Sequence, residues 1–158
     1  MPTRFEDNVF INCPFDDDYR PLFDAIVFAV HDAGFVARCA LETSDSAQNR
    51  LQKIMEIIGA CKYGIHDVSR TEPDEAHNLP RFNMPLELGI DLGCRRFGSK
   101  NHKQKLLLIL DREPYRYQKF MSDIIGGDAP FALSSILDLR ILYVTPAACA
   151  SCRAAPRP

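Results

Sequence analysis

The chain reads as an α/β domain, a doubly wound and mostly parallel sheet of four or five strands with helices on both faces. Three features point there. Short apolar runs alternate with amphipathic stretches in the order β-α-β-α-β-α-β-α. The run "QKLLLILD", 104–111, is apolar through its centre, as a strand buried on both faces would be. A length of 158 residues suits one domain with a real core and is short for two.

Each element has its own signal. "NVFINCPF", 8–15, is a short apolar strand closed by Pro14. In the helix that follows, Leu22, Phe23, Ile26, Val27 and Val30 recur at helical spacing. Asp16, Asp17 and Asp18 supply candidate caps, and Gly34 closes it. "FVARCAL", 35–41, is the second strand. Leu51, Ile54, Ile57 and Ile58 form the stripe of the second helix, and "KYGIHDVS", 62–69, is a strand ending in Asp67. A polar loop, 70–81, precedes a third helix from about Asn83 to Arg96, with Pro85 in its first turn, where a missing N–H matters little. "EPYRYQKFMSDIIGG" predicts a fourth helix after the 104–111 strand. The pattern is flavodoxin-like over residues 1–130. Residues 131–158 are atypical: an apolar centre offers a helix or an edge strand, and the tail from about 146 has a disordered composition.

Composition narrows the function. Nineteen Lys and Arg face 21 Asp and Glu, a balance that argues against broad nucleic-acid or acidic-membrane binding. The only basic cluster is "CRRFGSKNHKQK", 94–105. No apolar run nears the ~20 residues of a membrane span. With no basic-then-apolar start, a cytoplasmic protein is expected. Cys13, Cys39, Cys61 and Cys94 read as separate thiols, and Cys149 and Cys152 as a lone C-x-x-C with no second half. No metal pattern, P-loop or dinucleotide fingerprint is present, so no cofactor is expected.

An open α/β sheet binds its ligand at the carboxyl ends of its strands. The stretch "RFNMPLELGIDLG", 81–93, supplies the chemistry there. On a helix, Asn83, Glu87, Ile90 and Asp91 share a face. Glu87 lies near the positive end, which favours its ionised form. Gly89 and Gly93, each costing about 1 kcal/mol relative to Ala in a helix, make sense if a backbone or a flat ligand packs closely. The opposing reading is an ordinary carboxylate on a helix lying on the sheet. His66 and Asp67, adjacent on a strand, point to opposite faces and so form no catalytic pair.

These residues carry a resemblance. "FNMPLELGIDLG" with "KLLLILD" resembles the Glu-x-Gly element of the TIR-like and nucleoside 2-deoxyribosyltransferase-like superfamily. "VFINCPFDDDYRPLFDAIVFAVHDAGF" and "RLQKIMEIIGACKYGIHDVSR" look like the opening elements of its bacterial TIR-like subgroup. The likeness covers roughly residues 8–128. It implies cleavage of an N-glycosidic bond in NAD or a related nucleotide or nucleoside, with NAD as substrate rather than cofactor. By that resemblance Glu87 attacks or supports the anomeric carbon, and Asp67 helps hold the sugar. Asn12, Phe15 and Asp16 line the base or phosphate side. The helix-face residues Asn83 and Asp91, and Arg112 after the fourth strand, are further ligand candidates. The run Asp16–Asp18 would repel a pyrophosphate if it faced one. The resemblance also implies a homo-oligomer in bacterial defence or signalling. A non-catalytic nucleotide-binding or scaffolding module stands as the alternative, and an inert paralogue as a third.

Overall fold

The computed structural model describes residues 3–42, 49–73, 78–113 and 116–124 and the strand 132–133. Five parallel strands form one sheet: β1 (Asn8–Asn12), β2 (Val36–Arg38), β3 (Tyr63–Asp67), β4 (Leu106–Leu110) and β5 (Ala132–Leu133). Their order, β2-β1-β3-β4-β5, is that of a flavodoxin-like sheet. Among the described residues three α-helices cover it: α1 (Arg20–Asp32), α2 (Arg50–Gly59) and α3 (Asn83–Phe97).

Strand alternation sorts the core into two layers. Val9, Ile11, Cys13, Ile65, Leu108 and Leu110 face α1 and meet Ile26 and Val30. Phe10 faces the other way, onto Ile54, Ile57 and Ile58 of α2. Leu107 and Ile109 face Leu88 of α3. A central strand with both faces covered must be apolar on both, hence the unbroken run in β4. Only Leu106, at its start, stays exposed. Gly34 ends α1 with φ +82°, a left-handed conformation that a residue without Cβ adopts freely.

Some expectations are corrected. Leu51 is exposed, because the buried stripe of α2 begins one turn later, at Ile54. In place of the fourth helix there is a short 3-10 helix, Arg116–Lys119, followed by turns through Ile124. The helical spacing of Tyr117, Met121 and Ile124 is used for docking onto the core beside Leu107 and Ile109. Arg116 is tied to Asp111 (2.8 Å), Thr71 (2.9 Å) and the carbonyls of Ser69 (2.8 Å) and Val68 (3.2 Å). These ties hold the segment against the ends of β3 and β4, and tertiary anchoring overrides its helical preference.

Beyond residue 130, β5 is an edge strand of two residues pairing with β4. Cys149, Cys152 and the tail lie outside the described residues. The other four cysteines are free thiols. Burial pushes the Cys61 thiol up to about 12 and Cys13 higher still, so neither is a reactive thiolate.

Candidate functional site

The strand order reverses between β1 and β3, and the loops leaving those two strands part there. Between them lies a cleft of about 540 Å³, lined in part by Pro14, Asp16, Tyr19, Arg70, Met84 and Arg112. Its rim is charged but balanced. Arg70 donates to Asp16 Oδ2 at 2.7 Å, and Arg81 stands 3.9 Å from the same oxygen. Arg112 pairs with Glu72. Asp16 Oδ1 also accepts from the Tyr19 backbone N–H at 3.0 Å, closing the turn that leads into α1. The acid that would repel a phosphate is therefore partly neutralised by two arginines.

Tyr19 connects the cleft to the sheet. Its ring is buried and lines the cleft, and its hydroxyl donates to Asp67 Oδ2. Asp67 Oδ1 accepts from the Ser69 N–H at 2.8 Å. Burial and the Asp67 charge hold the Tyr19 hydroxyl far above its usual range, so it stays a donor. Asp67 ends β3 on the α1 side, while its neighbour His66 points into the layer under α3. The two side chains do lie on opposite faces.

Glu87 sits on the buried side of α3 with Met84, Leu88 and Asp91, at spacings of three and four. It is 9% exposed. Among the described residues no side chain donates a hydrogen bond to it. Desolvation pushes its carboxyl up to about 7, with Arg50 pulling weakly the other way. The helix terminus was expected to favour the ionised form of Glu87. Burial wins instead, because a terminal dipole is worth about 0.3–1 kcal/mol while desolvation of a carboxylate can exceed that several-fold. Glu87 stands one turn behind Met84, which lines the cleft, and does not line it itself.

The other anticipated residues divide. Asp16 and Arg112 line the cleft. Phe15 is partly exposed and packs edge-on against Phe23, ring centroids 5.5 Å apart. Asn83 is exposed at the start of α3. Asn12 is buried and donates to the Met84 carbonyl at 2.9 Å. Asp91 is fully buried beneath α3, bound to His66 and Lys105 rather than facing the cleft. Gly89 and Gly93 have open space where a Cβ would stand, so no close packing explains them in this chain.

Sequence reasoning passed over Tyr19, Arg70, Arg81, Glu72 and Met84. Arg70 and Arg81 bracket a loop whose polarity alone carries no address. Tyr19 had a usable signal: an aromatic directly after an acidic turn buries its ring and must find a partner for its hydroxyl.

The chain shares the fold of a 2-deoxyribosyltransferase. That enzyme, from the psychrotolerant bacterium Bacillus psychrosaccharolyticus, is described as a biocatalyst for the synthesis of antiviral and antitumoral nucleosides. The superposition has a TM-score of 0.51 and 9% identity, covering 84% of this chain and 89% of the transferase. No protein-family profile matches the chain, and no curated protein matches it by sequence. Among the described residues no group of His, Cys, Asp or Glu could hold a metal ion, and no helix is long and apolar enough to cross a membrane.

Proposed function

We propose that this cleft cleaves the N-glycosidic bond of a nucleotide or nucleoside, NAD among them, with Glu87 as the working carboxylate. The observation that carries the proposal is Glu87 itself. It is nearly buried beside a switch-point cleft, it has no hydrogen-bond donor among the described residues, and its carboxyl titrates at about 7. Perturbed acids of this kind gather at functional sites.

The chemistry follows from that state. The C1′–N bond breaks and its electron pair leaves with the base. The sugar carbon becomes oxocarbenium-like, and an ionised Glu87 stabilises or bonds it. Water or an acceptor hydroxyl then adds to C1′, any Glu87–C1′ bond breaks with its electron pair returning to the carboxylate, and the proton passes to solvent or, when a nucleoside base has left as an anion, to that base. Nicotinamide leaves neutral, since its ring nitrogen starts as a cation, so no strong general acid is needed. Asp67 acts in this proposal with Tyr19, which reaches the cleft and carries the hydroxyl that binds Asp67. Arg70, Arg81 and Arg112 can exchange their carboxylate partners for a phosphate. The proposal extends to a bacterial TIR-like role in defence or signalling and to a homo-oligomer. The large apolar side chains that α3 and its approach leave exposed at Leu79, Phe82, Leu86 and Phe97 favour assembly.

The second reading is a non-catalytic nucleotide-binding or scaffolding module. It is favoured by the position of Glu87 behind Met84 and by the pairing of Arg70 and Arg112 at the rim. The deciding experiment follows base or nicotinamide release by purified protein at high concentration, beside Glu87→Gln. Release that disappears in a folded mutant supports the enzyme. Release unchanged in the mutant removes Glu87 from the chemistry. No release from either protein, with nucleotide still bound, favours the module.

A further inference from the structure

Beneath α3 runs a chain of polar side chains at most 2% exposed. Asn12 Nδ2 donates to the Met84 carbonyl at 2.9 Å and lies 3.1 Å from His66 Nδ1. His66 Nε2 lies 3.2 Å from Asp91 Oδ2, and Asp91 Oδ1 stands 3.1 Å from Lys105 Nζ. Lys105 Nζ donates onward to the carbonyls of Ile58 (2.9 Å) and Cys61 at the end of α2. An amide nitrogen only donates, so His66 Nδ1 must accept and Nε2 must carry the proton toward Asp91. The links from Asn12 through His66 to Asp91 Oδ2 then each have a donor and an acceptor, while Asp91 Oδ1 meets Lys105 by ion pairing alone.

We infer that this chain is a positioning device, fixing the rotation and depth of α3 so that Glu87 is held on its buried side, one turn behind the cleft-lining Met84. What Glu87 is held there to do rests on the function proposed above.

Three observations carry it. First, the contacts bracket Glu87: Met84 lies three residues before it and Asp91 four after, all on the buried side of α3. Helix rotation would carry Glu87 away only by breaking the bonds at both ends. Second, the sheet makes room for the chain. A Cβ at Gly64 would come within 2.8 Å of both Asp91 Oδ2 and His66 Nε2 and 2.9 Å of Leu107 Cδ2. Third, stability alone does not call for it. A buried ion pair can often be replaced by apolar residues without loss, whereas the directional hydrogen bonds from Asn12 to the Met84 carbonyl and between His66 and Asp91 favour one geometry. Phe10, Leu107 and Ile109 offer α3 and its neighbours an apolar floor, and apolar contact by itself sets rotation loosely. The same end of β3 thereby sets two acids, Asp67 toward Tyr19 directly and Glu87 through His66.

The test compares the full-length wild type with Asp91→Leu/Lys105→Met, which removes both charges together, and with Asn12→Ala. Glu87 is followed by carbon NMR of its labelled carboxyl, assigned by its loss in Glu87→Gln, and turnover is measured alongside. The double variant is expected to melt cooperatively. Its Glu87 is expected to titrate about one pH unit lower, a tenfold weaker hold on the proton as the side chain gains water. Its kcat is expected to fall about tenfold or more with KM within about twofold, the split of a group that acts only in the transition state. A folded double variant whose Glu87 titrates as in the wild type overturns the inference. If the double variant does not fold, Asn12→Ala decides by the same titration, a lowered midpoint supporting the device and an unmoved one refuting it. A wild type that turns over no nucleotide or nucleoside defeats the catalytic proposal, and the titration still decides the positioning.

Discussion

Glu87→Gln removes a charge that the fold holds out of water while nearly preserving shape. The ordinary carboxyl value of 4.5 rises to about 7 in the folded protein, with burial as the main cause. The folded state therefore binds this proton more tightly than the unfolded chain does. Below about pH 4.5 both states are protonated and no penalty exists. Stability falls as pH climbs from there, and above about pH 7 the full penalty is present. A displacement of roughly 2.5 pH units corresponds to about 3 kcal/mol. Partial contact of the carboxylate with water reduces this to about 1–2 kcal/mol. Urea unfolding should then find Glu87→Gln about as stable as wild type near pH 4.5, and about 1–2 kcal/mol more stable near pH 8. In thermal melts near pH 8 the gain would be roughly 4 °C for a chain of this size. An equal offset at both pH values, or a mutant weaker at pH 8, would mean that Glu87 is not a desolvated acid, and the reasoning about its chemistry would fall with it.

Other outcomes follow from the same geometry. Gly64→Ala drives a Cβ into Asp91 and His66 and should lower stability by about 1–3 kcal/mol in denaturant titrations. Gly89→Ala, with nothing within 4 Å of the new Cβ, should raise it by up to about 1 kcal/mol. Tyr19→Phe strips a donor from the buried Asp67 and should cost about 1–3 kcal/mol, with weaker nucleotide binding by calorimetry. Arg116→Ala releases Asp111 and the carbonyls after β3, and hydrogen exchange should quicken at Ser69 and Arg70.

The fold was legible because its signals are local. Period and punctuation placed α1, α2, α3 and β4 to within a few residues, and the parallel order followed from strands separated by helices. The segment at Arg116 was not legible for the opposite reason. Its apolar spacing is genuine, yet its shape is set by Asp111, Thr71 and two carbonyls, and the contacts to Thr71 and the carbonyls cross more than forty residues. The cleft was half legible. Strand-end logic led to Asp16 and Arg112, but the arginines bracketing the 70–81 loop became cleft residues only when β1 and β3 were placed side by side.

The face of α3 shows where such reasoning stops. Spacing correctly put Glu87 and Asp91 on one side of a helix. It did not tell that side to be the inner one, since two acids among leucines look like the wet face of an amphipathic helix. What makes the inner placement workable lies elsewhere in the chain: a lysine at the mouth of β4, a histidine on β3, an asparagine at the end of β1, and a glycine that leaves them space. Each looks unremarkable in its own segment. Lys105 in particular sits in what reads as a basic surface cluster, yet it is fully buried. A charge inside a protein is intelligible only with its partners, and partners are a property of the fold. Glu87 is the telling contrast. Asp91 found a cation and a histidine; Glu87, one turn away and nearly as buried, found neither among the described residues. Two carboxylates on one helix face have thus been given different treatments: Asp91 has an ion-pair partner and a histidine, though its Oδ1 accepts no hydrogen bond, and Glu87 has neither partner among the described residues. The charge-paired acid fastens α3 to the sheet, and in the proposed function the acid without such a partner is the one that meets a cationic sugar carbon.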